Sequence, residues 1–251
     1  MSMRMRLWVL AAGILGTAAL FVLACGELPG FGGTWHPYGD RAVHAALARH
    51  TANTISSVNF DQRALDTLGE ESILFGSVLG TVVLLRQTRD EKRLPPEPAR
   101  VAPPVRRYAL IALPVTLLIG LYIIAHGQLS PGGGFQGGVV VATSLHLLYI
   151  AIDYRALERI RPVGLYGVAD AAGEAGYLLI GAAALVTGAA FLTNFLPYGT
   201  FNTLSSGGTV PLLNAAIGVE VSAGIVVLLA RFLDQAVEIV SGRDDEAEDE
   251  T

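Results

Sequence analysis

Six runs of mostly apolar residues, each about as long as a bilayer's hydrocarbon core is thick, constrain this chain more than any other feature. They are Leu7 to Ala24, Leu68 to Leu85, Tyr108 to Ala125, Phe135 to Ile152, Glu174 to Leu192 and Val210 to Leu233. Lipid offers no partner to a backbone N–H or C=O, so a spanning segment must be a helix or part of a closed barrel. The strict apolar and polar alternation of barrel strands is missing, which leaves helices. A composition 52% hydrophobic and only 16% charged agrees with this reading. The expected fold is all-α, a polytopic membrane protein with six transmembrane helices.

Orientation follows from the seventeen basic residues. Arg4 and Arg6 precede the first run, seven lie from Arg86 to Arg107, Arg155, Arg159 and Arg161 follow the fourth, and Arg231 and Arg243 close the set. Only Arg41, Arg49 and Arg63 fall on the other side, and the 127–134 and 195–209 connections carry no positive charge. Both termini are therefore expected in the cytoplasm. The formal charge of −5 comes from the acidic end, Asp244 to Glu250, read as a solvated tail with no part in transport.

Between the third and fourth runs lies HGQLSPGGGFQGGVVVA, from His126 to Ala142. Pro131 stops a helix there, Gly132, Gly133 and Gly134 allow backbone angles closed to other residues, and Gly137 and Gly138 let a second backbone approach. Irregular backbone near membrane depth persists only where protein or water satisfies it. His126, Gln128, Phe135 and Gln136 are thus expected to line a vestibule or an interface with a neighbouring protein. Elsewhere, Arg86 to Arg107 is rich in Pro and Arg and reads as a semi-rigid linker. Asp40 to Asn53 reads as a short interfacial helix with Ala42, Val43, Ala46 and Leu47 on its apolar side. His36, His44 and His50 read as solvated loop residues. Cys25 ends a run resembling a lipoprotein signal, although leucine two residues before it is atypical, and a retained first helix is expected.

Ionisable side chains deep in a membrane are costly, so each is a functional candidate. Glu220 lies about 15 Å into the last run, and His146 at a comparable depth in the fourth. Thr143, His146 and Asp153 follow helical intervals and make a polar stripe that suits a proton path, or helix packing alone. Asp66 and Glu70 share a face at the start of the second run, with Glu71 beside them, where capping and the helix dipole explain acids equally well. Glu174 is placed at the cytoplasmic start of the fifth run. No P-loop, dinucleotide fingerprint, nucleophile elbow or metal signature is present, so an enzyme is not expected, and neither is a cofactor, a metal or a nucleic-acid partner.

The PGGGF-x-GG segment from Pro131 to Gly138, with SSGGTVPLLNAAIGVEVSAG from Ser205 to Gly224, resembles the B-type subunit of the Mrp-type multisubunit cation/proton antiporters. NTISSVNFDQRALDTLGEESIL, from Asn53 to Leu74, is similar to the C-terminal end of the large A-type subunit of those antiporters, and to small membrane subunits of membrane-bound hydrogenases. DTLGE at Asp66 to Glu70 carries that match, whereas Asn59 to Arg63 departs from the family's usual run. The resemblance implies a two-helix unit like the end of the A type (1–90), a cytoplasmic linker (91–107), a four-helix domain of the B type (108–235) and an acidic tail (236–251). It implies a bacterial cell membrane, partner subunits of the A, C, D, E, F and G types, and exchange of Na+ for H+. It also strengthens Asp66, Glu70 and Glu220 as path residues. Two other readings stay open: the same module in a redox-driven complex, and a scaffold that conducts nothing.

Overall fold

The computed structural model describes residues 3–28, 33–34, 36–86, 91–93, 101–151, 162–233 and 237–239. The chain divides into two compact units, Met1–Asp40 and Arg41–Thr251. The first holds helix α1 (Met3–Gly26), apolar around its whole circumference and with no buried residue, which suits a membrane span. Cys25 is exposed near its end.

Helix α2 (Pro37–Ala48) crosses into the second unit, and its buried face is Ala42 and Ala46, one turn apart. The Gln62 side-chain amide fastens it by donating to the Ala42 carbonyl at 3.1 Å. Val43 and Leu47, expected on the apolar side, point outward, because close approach selects the two smaller side chains. His50 is not a free loop residue: it takes a positive φ of 56°, bonds the Gly199 carbonyl at 2.6 Å and meets Tyr198 edge-on.

A short turn, α3 (Thr54–Ser57), runs into a π-helical turn over Val58–Gln62 and then α4 (Ala64–Leu84). After strand β1 (Glu91–Arg93) come α5 (Pro103–Ala125), α6 (Gly134–Ala151), α7 (Val163–Val186), α8 (Val210–Leu233) and strand β2 (Val237–Ile239). Helix α5 opens on two prolines, whose missing N–H is no loss in a first turn. Among the described residues, α1, α4, α5, α7 and α8 are long and apolar enough to span a membrane. The chain is thus a polytopic, essentially all-helical membrane protein.

Three details depart from expectation. The fifth span begins at Val163, not Glu174, so Asp170 and Glu174 sit inside it. A hydropathy reading treats acids as boundaries, but here they face other helices. The second span begins at Ala64, not Leu68, which brings Asp66 into its first turn. Finally, β1 and β2 pair antiparallel, Lys92 opposite Glu238, adding a small strand element to the all-α plan. That pair ties the segment after α4 to the segment after α8.

Helix α8 is the centre of the bundle, in contact with α4, α5, α6 and α7. Helix α6 runs parallel to it, Gly134 against Asn214 and Gly138 against Val221. Helix α7 runs antiparallel, Gly173 against Glu220 and Asp170 against Gly224. The apolar core lies on the hinge side of this crossing, where Phe60, Ala64, Tyr177, Leu192, Val210, Leu213, Ile217 and Val221 pack together.

Candidate functional site

The glycine hinge between α5 and α6 is held from three directions. Asn53 caps α3 with its side-chain oxygen and donates its amide to the Gly127 and Ser130 carbonyls, each at 2.8 Å. Gln128, fully buried, donates to the Leu204 carbonyl at 2.8 Å. Asn214, in the first turns of α8, accepts from the Gly134 N–H at 2.8 Å and donates to Ser56 Oγ and the Val210 carbonyl. Gly132 and Gly133 take φ of 118° and 145°, and a Cβ on Gly133 would lie 2.6 Å from the Asn214 oxygen. Both observations explain why only glycine serves there. Gly137 lies against the Gly120 and Ile124 backbone, and Gly138 against Gly218 and Val221, so both do let neighbouring helices approach.

His126 stacks on Tyr122, with ring centroids 3.8 Å apart. Phe135 and Gln136 are exposed and line a cavity of about 220 Å³ together with Ser56, Thr67, Glu70 and Glu71. Pro131 is exposed on the turn. The hinge therefore forms one wall of a polar cavity whose other wall is the start of α4.

That cavity leads to a group of acids inside the bundle. Glu71 of α4, Asp170 of α7 and Glu220 of α8 are 2%, 1% and 0% exposed. Glu174, one turn from Asp170 on α7, accepts from Ser72 Oγ at 2.8 Å. One oxygen each of Glu71, Asp170 and Glu174, and both oxygens of Glu220, have no hydrogen-bond partner among the described residues. Glu71, Glu174 and Asp170 all lie close enough to Glu220 to act on its charge. Glycines make the room: a Cβ at Gly173 would come 2.6 Å from Glu220 Cβ, and one at Gly224 would come 2.9 Å from Asp170 Oδ1. An isolated ionised carboxylate in such a place costs several kcal/mol, so the group must carry protons or counter-ions.

The residues singled out from the sequence separate accordingly. Glu220 sits at the centre of the acid group and Glu70 at its cavity wall. Asp66 lies apart, exposed and paired with Arg63. His146 is half-buried on α6, and Asp153 falls outside the described residues. Glu71, Asp170 and Asn214 were missed. Glu71 was seen only as a neighbour of Glu70, and Asn214 only as part of a motif; the four-residue spacing of Asp170 and Glu174 was the available signal. Nearer the surface, Asp61 pairs with Arg49 at 2.7 Å. Hydrogen bonding to Asp61 raises the Arg49 guanidinium above its ordinary value, and the two departures at Asp61 and Arg63 from the family pattern thus both form ion pairs.

Residues 104–227 match the family model of a domain related to the MnhB subunit of Na+/H+ antiporter. The chain is 37% identical over 84 residues to the B-type subunit of the Na+/H+ antiporter of Bacillus subtilis, covering 34% of this chain and 58% of that protein. A protein of Methanocaldococcus jannaschii of unassigned function is 29% identical over 203 residues, 69% of this chain and 74% of its own. Among solved structures, a chain of the membrane-bound sulfane sulfur reductase, an archaeal respiratory membrane complex, superposes with a TM-score of 0.67 at 26% identity. That match covers 91% of this chain and 98% of the other. A chain of the Mrp complex from Dietzia sp. DQ12-45-1b shares the fold, with a TM-score of 0.69 at 23% identity over 94% of this chain and 26% of the other. Residues 104–227, which include the hinge and Glu220, thus form a domain related to the MnhB subunit of Na+/H+ antiporters.

Proposed function

We propose that the protein is a membrane subunit of the multisubunit Na+/H+ antiporter type in a bacterial cell membrane, serving both assembly and the ion route. The family domain carries this reading, because it holds the hinge and the helix bearing the buried Glu220. The chain's N-terminal part acts as the end of an A-type antiporter subunit fused ahead of a B-type one. Continuity of the fold with a quarter of one long Mrp chain supports that fusion. The partners are the remaining antiporter subunits, and the work of exchange belongs to the assembly.

The test uses everted vesicles from a host without its own antiporters, carrying the complete gene set with or without this chain. Adding Na+ to energised vesicles should collapse the pH gradient only when the chain is present. Gradient collapse that persists without it, with the other subunits assembled, overturns the reading. A second reading has its own observation, the near full-length match to a chain of a respiratory complex. It predicts ion movement only when an electron donor is supplied.

A further inference from the structure

We propose that Glu71, Glu174, Glu220 and Asp170 form a proton relay through the middle of the bundle, entered from the hinge-side cavity between Gln136 and α4. The relay deepens the antiporter reading and rests on it for the direction of flow.

The placement of the acids supports a chain more than a single site. Glu71 is on the second turn of α4 and opens onto the cavity. Glu174 is held beside it by Ser72, whose neighbour in sequence is Glu71 itself. Glu220 faces the pair from α8 across the glycine at 173. Asp170 lies one helical turn, about 6 Å, further from the hinge than Glu174, beside Gly224. The four acids therefore descend in steps from the cavity wall past the depth of Glu220. Carboxyls set in such steps suit handing on a proton.

Other groups facing the chain fit this use. Glu70 lines the same cavity and is exposed, a natural point of exchange with water. Tyr177 is fully buried nearby, but its hydroxyl donates to the Ala64 carbonyl at 2.9 Å, which commits it to structure. Glu220 has both oxygens unpartnered among the described residues and no exposure, so it is free to accept from one neighbour and donate to the next. In each hop the O–H bond of a protonated carboxyl breaks as one forms on the neighbouring carboxylate. A proton moves one way, the negative charge moves the other, and no electron is transferred. Neighbouring carboxyls that share a proton titrate as a unit.

The experiment takes the purified whole complex, reconstituted in vesicles, with E71Q, E220Q and D170N variants. Na+-driven proton flux and the infrared carbonyl band of protonated carboxyls are read on the same samples. In assembled complexes, each substitution should slow flux about tenfold or more, with E220D faster than E220Q. Each should also move the titration of the carbonyl signal left by the other acids. Flux within about twofold of wild type in both E220Q and D170N overturns the relay. If E220Q fails to assemble, D170N and E71Q decide. If the wild-type complex moves no protons with Na+, the antiporter reading falls, and the infrared titration alone decides the relay: independent carbonyl signals in the variants overturn it.

Discussion

At the scale of single residues, Asn214 is the most consequential polar group outside the acid chain. It joins the hinge to α3 and α8, accepting from Gly134 N–H and donating to Ser56 and Val210. Asn214→Ala strands the buried Gly134 donor and should cost about 1–3 kcal/mol. The expected readout is a lower temperature at which the detergent-solubilised complex releases this chain; an unchanged temperature means that Asn53 and Gln128 hold the hinge alone. The Arg49–Asp61 pair predicts a different signature. Asp61 is 2% exposed and Arg49 38%, so solvent discounts the pair, and R49M should cost about 1–3 kcal/mol. Asp61 raises the guanidinium above its ordinary value, so the stabilisation is complete below that ordinary value and is lost only as pH rises through the raised one. The difference in melting temperature between wild type and R49M should therefore stay flat from about pH 7 to pH 10. A gap that closes over that range removes Arg49 as the source.

At the scale of elements, α8 and the hinge were legible in the sequence and the fifth span was not, for one physical reason. Hydropathy reads the average environment of a run. Val210 to Leu233 is apolar on average despite Asn214 and Glu220, so its bounds match the observed helix. Asp170 and Glu174 pulled the fifth run toward its C-terminal half, since a sequence does not display the neighbouring helices that shelter them. The same blindness hid Glu71, identical in type to the exposed Glu70 beside it and distinguished only by which way α4 faces. What sets the spacing of α7 and α8 is glycine. Gly173→Ala would place a methyl 2.7 Å from the Glu220 nitrogen and 2.8 Å from the Ala216 carbonyl, backbone atoms that move only with their helix. Gly176→Ala, on the same helix, meets only Ala216 Cβ at an ordinary 3.7 Å. Overpacking at Gly173 should cost about 1–3 kcal/mol and lower the yield of assembled complex, while Gly176→Ala should assemble like wild type. Equal yields from both would mean that the α7–α8 crossing yields to a methyl.

For the whole molecule, the open structural question is how the helices thread the bilayer, and basic residues argue for one answer. Arg86 to Arg107 carries seven positive charges, whereas the 195–209 connection carries none, so the first belongs in the cytoplasm and the second outside. Pairing of β1 with β2 agrees, because it puts the segments after α4 and after α8 on one side. Helix α6 is the element to test, because it links the hinge to the basic residues Arg155, Arg159 and Arg161. If α6 crosses, α5 and α6 make a return pair, and Pro162 shares a side with Arg86. If α6 only dipped into the membrane, Pro162 would join the hinge side, which the antiparallel run of α7 beside α8 opposes. Single cysteines at Arg86, Pro162 and Thr200, all exposed positions, placed in a C25S background, separate these outcomes with a membrane-impermeant maleimide. Six spans predict labelling of T200C in intact cells, and labelling of R86C and P162C only in everted vesicles. Reaction of P162C in intact cells would leave five crossings and overturn the antiparallel packing of α7 on α8.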